Sequence, residues 1–182
     1  MLAVQDVLEK VAGQIKKAGA SRVTTVDTGI IKVMEEPACG SCPEYGHNLS
    51  CPPNIPPPAA FRRELAGYSG GVLFQVRVPA GQNNPDAVWA GSRLVHEIVL
   101  EAEKLCLGLG AARVRGLIAG CCKLCVPCPG PGSGCRHPAK ARSSLEANGI
   151  DVVATCAAVG WQVTFPADRY VDWTGLVLLG GE

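Results

Sequence analysis

Four cysteines stand in the run Cys122-Lys-Leu-Cys125-Val-Pro-Cys128-Pro-Gly-Pro-Gly-Ser-Gly-Cys135-Arg-His-Pro138, separated by two, two and six residues. The prolines and glycines keep regular helix and strand out of this stretch, as suits a chain that wraps a cluster. Thiolates are soft ligands that take iron–sulfur clusters, zinc or Cu(I). Three ligands spaced by two residues, with a fourth following, match a cubane better than structural zinc, which commonly uses two separated Cys-x2-Cys pairs. The spacing therefore predicts a [4Fe–4S] cluster on Cys122, Cys125, Cys128 and Cys135, with zinc as the alternative. The run departs from the bacterial ferredoxin pattern, whose last cysteine follows a three-residue gap and precedes a proline directly. Cys135 is read as closing this cluster rather than reaching another.

A second cysteine loop lies upstream: Cys39-Gly-Ser-Cys42-Pro-Glu-Tyr-Gly-His-Asn-Leu-Ser-Cys51-Pro52-Pro53. It offers three thiols and no obvious fourth ligand. A second cluster there would leave one iron to His47, a displaced cysteine such as Cys121, a water or a substrate, and an open iron would permit Lewis-acid chemistry on a small ligand. A zinc site of Cys39, Cys42, Cys51 and His47 is the competing reading and needs no redox role. Cys121 reads as a non-ligating neighbour of Cys122, and Cys106 and Cys156, in apolar surroundings, as small buried hydrophobes. Arg136, His137, Lys140 and Arg142 either offset cluster charge and dock an acidic redox partner or form an ordinary solvated helix face. Glu44 and Glu146 carry no distinguishing signal.

The elements that must position these loops come from a chain of 182 residues, 47% hydrophobic, which predicts one domain over residues 1–182. A formal charge of +1 from 17 basic and 16 acidic residues gives no global reason to bind nucleic acid or anionic lipid. The N-terminal residues lack the basic and apolar blocks of a signal peptide, and no apolar run reaches membrane-spanning length, so a cytoplasmic protein is expected. In that compartment ten cysteines would be kept reduced, which suits metal better than cross-links. Nucleotide-binding glycine motifs and a nucleophile elbow are missing from the sequence.

Helical spacing predicts an amphipathic helix over 3–19 and a long one from Pro85 to about Leu107, with short helices near 58–66, from Pro138 to about Asn148, and across 150–160. Residues 22–34 read as two short strands around Asp27-Thr28-Gly29, and Trp161–Phe165 as another short strand. The expected fold is α/β: a mixed sheet from strands near 23–33, 72–78, 113–118 and 176–179, flanked by helices, with two long cysteine-rich metal-binding loops.

Four segments carry a further signal: Cys39-x2-Cys42-x2-Tyr45-Gly46 leading to Cys51-Pro52-Pro53; Cys122-x-Leu124-Cys125; Cys135-Arg136-x-Pro138-x2-Ala141-Arg142-Ser143; and Glu146-Ala147-x-Gly149-Ile150-Asp151-Val152. Together they resemble an uncharacterised prokaryotic family of cysteine-rich predicted metal-binding proteins, over roughly residues 36–179. The resemblance implies a metal and names no reaction. The function expected from the residues is an iron–sulfur protein with one or two [4Fe–4S] clusters, passing electrons to a redox partner protein. The Cys39, Cys42 and Cys51 site would be the second redox centre or the place where a small molecule meets an open iron. A Lewis-acid enzyme and a zinc-stabilised interaction module are the alternatives.

Overall fold

Val7, Leu8, Val11 and Ile15 recur at helical spacing and are the buried face of helix α1 (Val4–Lys17). The computed structural model describes residues 3–80 and 85–180, and the remaining elements follow in chain order. They are β1 (Arg22–Val26), α2 (Pro58–Leu65), β2 (Gly70–Pro79), α3 (Pro85–Gly108), β3 (Arg113–Leu117), α4 (Val152–Ala158) and β4 (Tyr170–Gly180). The four strands form one sheet in the order β1-β2-β4-β3.

The sheet separates two apolar cores. Val72, Phe74 and Val76 of β2 and Val177 and Leu179 of β4 face α1 and α3, meeting Val95, Ile98, Val99 and Cys106. The alternate residues Leu73, Leu176 and Leu178 face α2, α4 and Leu145, meeting Phe61, Leu65 and Cys156. Side chains alternate across a strand, so a strand covered on both faces must be apolar at successive positions, as Val72-Leu-Phe74 is.

The α/β class agrees with the sequence, but the sheet is not mixed: every pairing among the four strands is antiparallel. Continuous apolar runs report burial on two faces and say nothing about strand direction. The one parallel contact described is an isolated bridge between Ile118 and Ser144. The second strand expected before Met34 is replaced by a 3-10 turn at Thr28–Ile30, where the Asp27 carboxylate accepts from Gly29 N at 2.7 Å. Val33 instead bridges to Ile150. Residues 161–165 alternate in polarity but hold no strand. The helix expected from Pro138 to Asn148 shrinks to a turn at 138–140 and a 3-10 turn at Glu146–Asn148, which Gly149 ends. The strand expected at 176–179 begins six residues earlier, at Tyr170.

Gly175 sits where β4 closes on α3. A Cβ there would overlap the Phe74 ring, its cross-strand partner, and come within 2.9 Å of Val95 Cγ1. Gly175→Ala should therefore destabilise the protein by about 1–3 kcal/mol through overpacking, read as a lower urea midpoint with an unchanged slope.

Candidate metal centre

Both cysteine loops leave and re-enter the fold beside the Glu146–Asn148 turn. Upstream, Met34 N donates to Gly149 O at 2.7 Å, Asp151 N donates to Lys32 O at 2.8 Å, and Arg62 Nη2 donates to Val33 O at 2.9 Å. Downstream, Ile118 N donates to Ser143 O and Leu145 N donates to Ile118 O, each at 3.1 Å. These bonds close the base of the long excursion from β3 that carries the quartet.

The upstream loop is a succession of tight turns with a cysteine at each. Cys42 N donates to Cys39 O at 3.0 Å, Tyr45 N to Cys42 O at 3.0 Å, Cys51 N to Asn48 O at 3.0 Å and Asn54 N to Cys51 O at 2.9 Å. Asn48, only 2% exposed, is the hub. Its Oδ1 accepts from Ser50 N at 3.0 Å, while Nδ2 donates to Glu44 Oε2 at 3.2 Å and to Cys122 O at 3.0 Å. That last bond fastens the upstream loop to the first cysteine of the quartet.

Helix α3 holds the other side of the quartet loop with Trp89, Ser92, His96 and Glu103, which share one face because their offsets of 3, 7 and 14 are near-whole turns. Ser92 Oγ donates to Ala119 O at 2.8 Å and accepts from Lys123 Nζ at 2.9 Å. Lys123 Nζ also donates to Cys121 O at 2.9 Å and lies 4.8 Å from the centre of the Trp89 ring and 5.8 Å from that of Trp173, a cation–π slot. His96 Nε2 lies 2.8 Å from Lys140 O and must carry the proton there, since a carbonyl only accepts. Glu103 takes Arg142 Nε at 2.9 Å and Nη2 at 2.6 Å, and also accepts from Gly116 N at 2.7 Å. Arg142 is therefore committed to Glu103 and leaves the basic group expected from sequence. Arg136, His137 and Lys140 remain exposed.

Cys122, Cys125, Cys128 and Cys135 line a single small cavity, together with Asn48, Leu49 and Ser50 of the upstream loop. His137 N donates to Cys135 Sγ at 3.4 Å. Cys39, Cys42 and Cys51 form a second group, and Cys121 stands with them. Cys51, 7% exposed, has its thiol pushed up to about 12, chiefly by burial and then by Cys121, Cys42, Cys39 and Glu44. Cys121 is raised by burial, with Glu44 and Cys42 adding and Lys123 opposing, and Cys39 by burial, Glu146 and Cys42. His47 is exposed. Cys106 and Cys156 are buried in the two separate cores, as expected.

This donor set suits a cationic guest: eight thiols in two adjoining groups repel one another as thiolates, and metal binding draws off their protons. Among the described residues no three His, Cys, Asp or Glu side chains converge closely enough to chelate one ion as they stand. Binding a zinc ion at the Zn–S distance of about 2.3 Å would require contraction. Sequence reasoning missed Asn48, Ser92, His96, Glu103, Lys123 and the two tryptophans. The spacing of polar residues along α3 was the available signal, overshadowed by the helix's apolar stripe. Glu44 and Glu146, unremarkable in sequence, both lie within electrostatic reach of the upstream thiols. Glu146 Oε2 is buried with no hydrogen-bond partner among the described residues.

Two outcomes follow from this scaffold. Asn48→Ala should cost about 1–3 kcal/mol, because Ser50 N loses its buried acceptor, and should weaken metal retention in both thiol groups, measured by thermal melts and metal analysis after gel filtration. His96 is lowered from 6.5 mainly by burial, with Arg142 and Lys123 acting in the same direction against the Lys140 carbonyl and Glu103. Its contribution is present above the unfolded pKa of about 6.5 and is lost as pH falls through the lower folded value. The urea midpoint should drop between pH 7.5 and 5.5, and His96→Gln, which keeps a donor for Lys140 O, should flatten that drop.

Among the described residues no helix is long and apolar enough to cross a membrane. No curated protein and no solved structure matches the chain significantly. A family model described as predicted metal-binding protein (DUF2284) matches residues 24–179. That span takes in both loops and all ten cysteines, and the chain belongs to this predicted metal-binding family.

Proposed function

We propose that this protein is an iron–sulfur electron carrier of a reducing, cytoplasmic compartment, with one [4Fe–4S] cluster on Cys122, Cys125, Cys128 and Cys135 and a second at Cys39, Cys42 and Cys51. The observation that carries the reading is that four thiols in the Cys-x2-Cys-x2-Cys-x6-Cys pattern line one cavity, beside a second thiol group. When bound, such clusters exchange single electrons at potentials set by net charge, hydrogen bonds to sulfur and exposure to solvent.

The chain's own residues supply those controls. His137 N–H donates to Cys135 Sγ and favours added negative charge on that sulfur. The Lys123 ammonium, fixed between Trp89 and Trp173, places a positive charge beside Cys121. Val126, 91% exposed, and the exposed Arg136 and Lys140 form an apolar and basic rim on the quartet loop, suited to an acidic redox partner.

Anaerobically purified protein should be brown and carry about 8 irons and 8 sulfides per chain, since each cubane holds four of each. Cys125→Ser should remove about half of both. A colourless protein carrying stoichiometric zinc would replace this reading with a zinc-stabilised interaction module.

A further inference from the structure

Three thiols leave the upstream site one ligand short, and the structure narrows what fills the gap. His47 is exposed, whereas Cys121 is half-buried. The Cys121 thiol shares its neighbourhood with Cys51, Cys42 and Glu44, all of the upstream loop. The backbone around it is fixed from both sides. Asn48 Nδ2 bonds Cys122 O, and Lys123 Nζ bonds Cys121 O while resting on Ser92 of α3. Gly120, at φ 65°, turns the chain immediately before this pair, in a conformation that side chains rarely adopt.

The next residue points elsewhere. Cys122 lines the quartet cavity with Cys125, Cys128 and Cys135, and that lining does not include Cys121. Successive side chains of a non-helical backbone diverge, so one dipeptide serves both thiol groups.

We propose that Cys121 is the fourth thiolate of the Cys39, Cys42 and Cys51 site, so that the Cys121–Cys122 peptide joins two complete four-cysteine centres. The proposal rests on the iron–sulfur reading for the identity of the guest, but not for the ligand set. Each ligating thiol gives its proton to solvent as its metal–sulfur bond forms, and no position remains for a small molecule. The two ligating Cα atoms are then about 3.8 Å apart, a direct covalent bridge between the centres.

The test is mass-mapped iodoacetamide labelling of the full chain, metal-free and after anaerobic loading with ferrous iron and sulfide. Cys121 should label in the metal-free chain and be protected in the loaded one as fully as Cys51 and Cys122. Labelling of Cys121 at the metal-free rate in a chain carrying both clusters would overturn the proposal. Spin-resonance spectra of the reduced protein give a second readout. Added cyanide should leave wild type unchanged, whereas Cys121→Ala should lose about half of its iron or gain a cyanide-responsive signal, with Cys106→Ser behaving as wild type. A cyanide response in wild type, or a Cys121→Ala protein indistinguishable from wild type, counts against it. A wild-type chain that takes up zinc but no iron refutes the iron–sulfur reading alone, and the labelling map of the zinc-loaded chain then decides the fourth ligand. A chain that takes up neither refutes both.

Discussion

A carboxylate in the last two turns of the longest helix holds the arrangement together. Glu103 is largely buried on α3, where it accepts from the β3 backbone at Gly116 and from the guanidinium of Arg142 at the return end of the quartet loop. One side chain thus joins helix, sheet edge and metal loop. The net worth of such a pair is small, because desolvating two charges offsets most of their attraction, yet removing either partner strands the other and costs about 3–5 kcal/mol. The pair's value lies in register: Arg142 can meet Glu103 only if the excursion from Ile118 to Ser143 closes correctly, which sets where Cys122 to Cys135 converge.

From that anchor the remaining contacts form a hierarchy. Ser92 and His96 continue the same helix face toward Lys123 and Lys140, fixing both ends of the quartet loop to α3. Asn48 then carries the fixation across to the upstream loop through Cys122 O. The upstream loop's bonds run within its own turns and to the quartet loop, and these order its thiols. Order passes from core to α3, from α3 to the quartet loop, and from there to Cys39, Cys42 and Cys51.

The metal-binding character was legible in the sequence because the spacing of cysteines is a local property. The thiols of the quartet line one cavity, and Cys106 and Cys156 went into the cores that their apolar neighbours foretold. What was not legible depends on partners distant in the chain. Trp161 to Phe165 alternates like a strand, but a strand needs a free edge to pair with, and none takes these residues. Val33 pairs with Ile150, more than a hundred residues away, rather than with β1. Tyr170 to Trp173 lacks the apolar run of Leu176 to Leu179 because only the latter half of β4 is buried on both faces, yet the full strand pairs with β2. Cys121 was one of several candidates for the upstream vacancy, because spacing alone says nothing of which way a turned backbone sends each of two adjacent thiols.

The crowding of thiols also bears on how the protein reaches this state. Without a guest, Cys39, Cys51 and Cys121 are all held above the ordinary thiol range, first by burial, so these three groups contribute little electrostatic cohesion of their own. Their backbones make isolated turns rather than a ladder, and ordering each residue costs about 1–2 kcal/mol of chain entropy that a few turn bonds do not repay. The two-sided core is independent of them: β2, β4, α1 and α3 bury their apolar faces without a thiolate. Guest binding is therefore coupled mainly to the order of residues 35–57 and 119–142, and the bond from Asn48 to Cys122 O links ordering of the upstream loop to the quartet loop being in place.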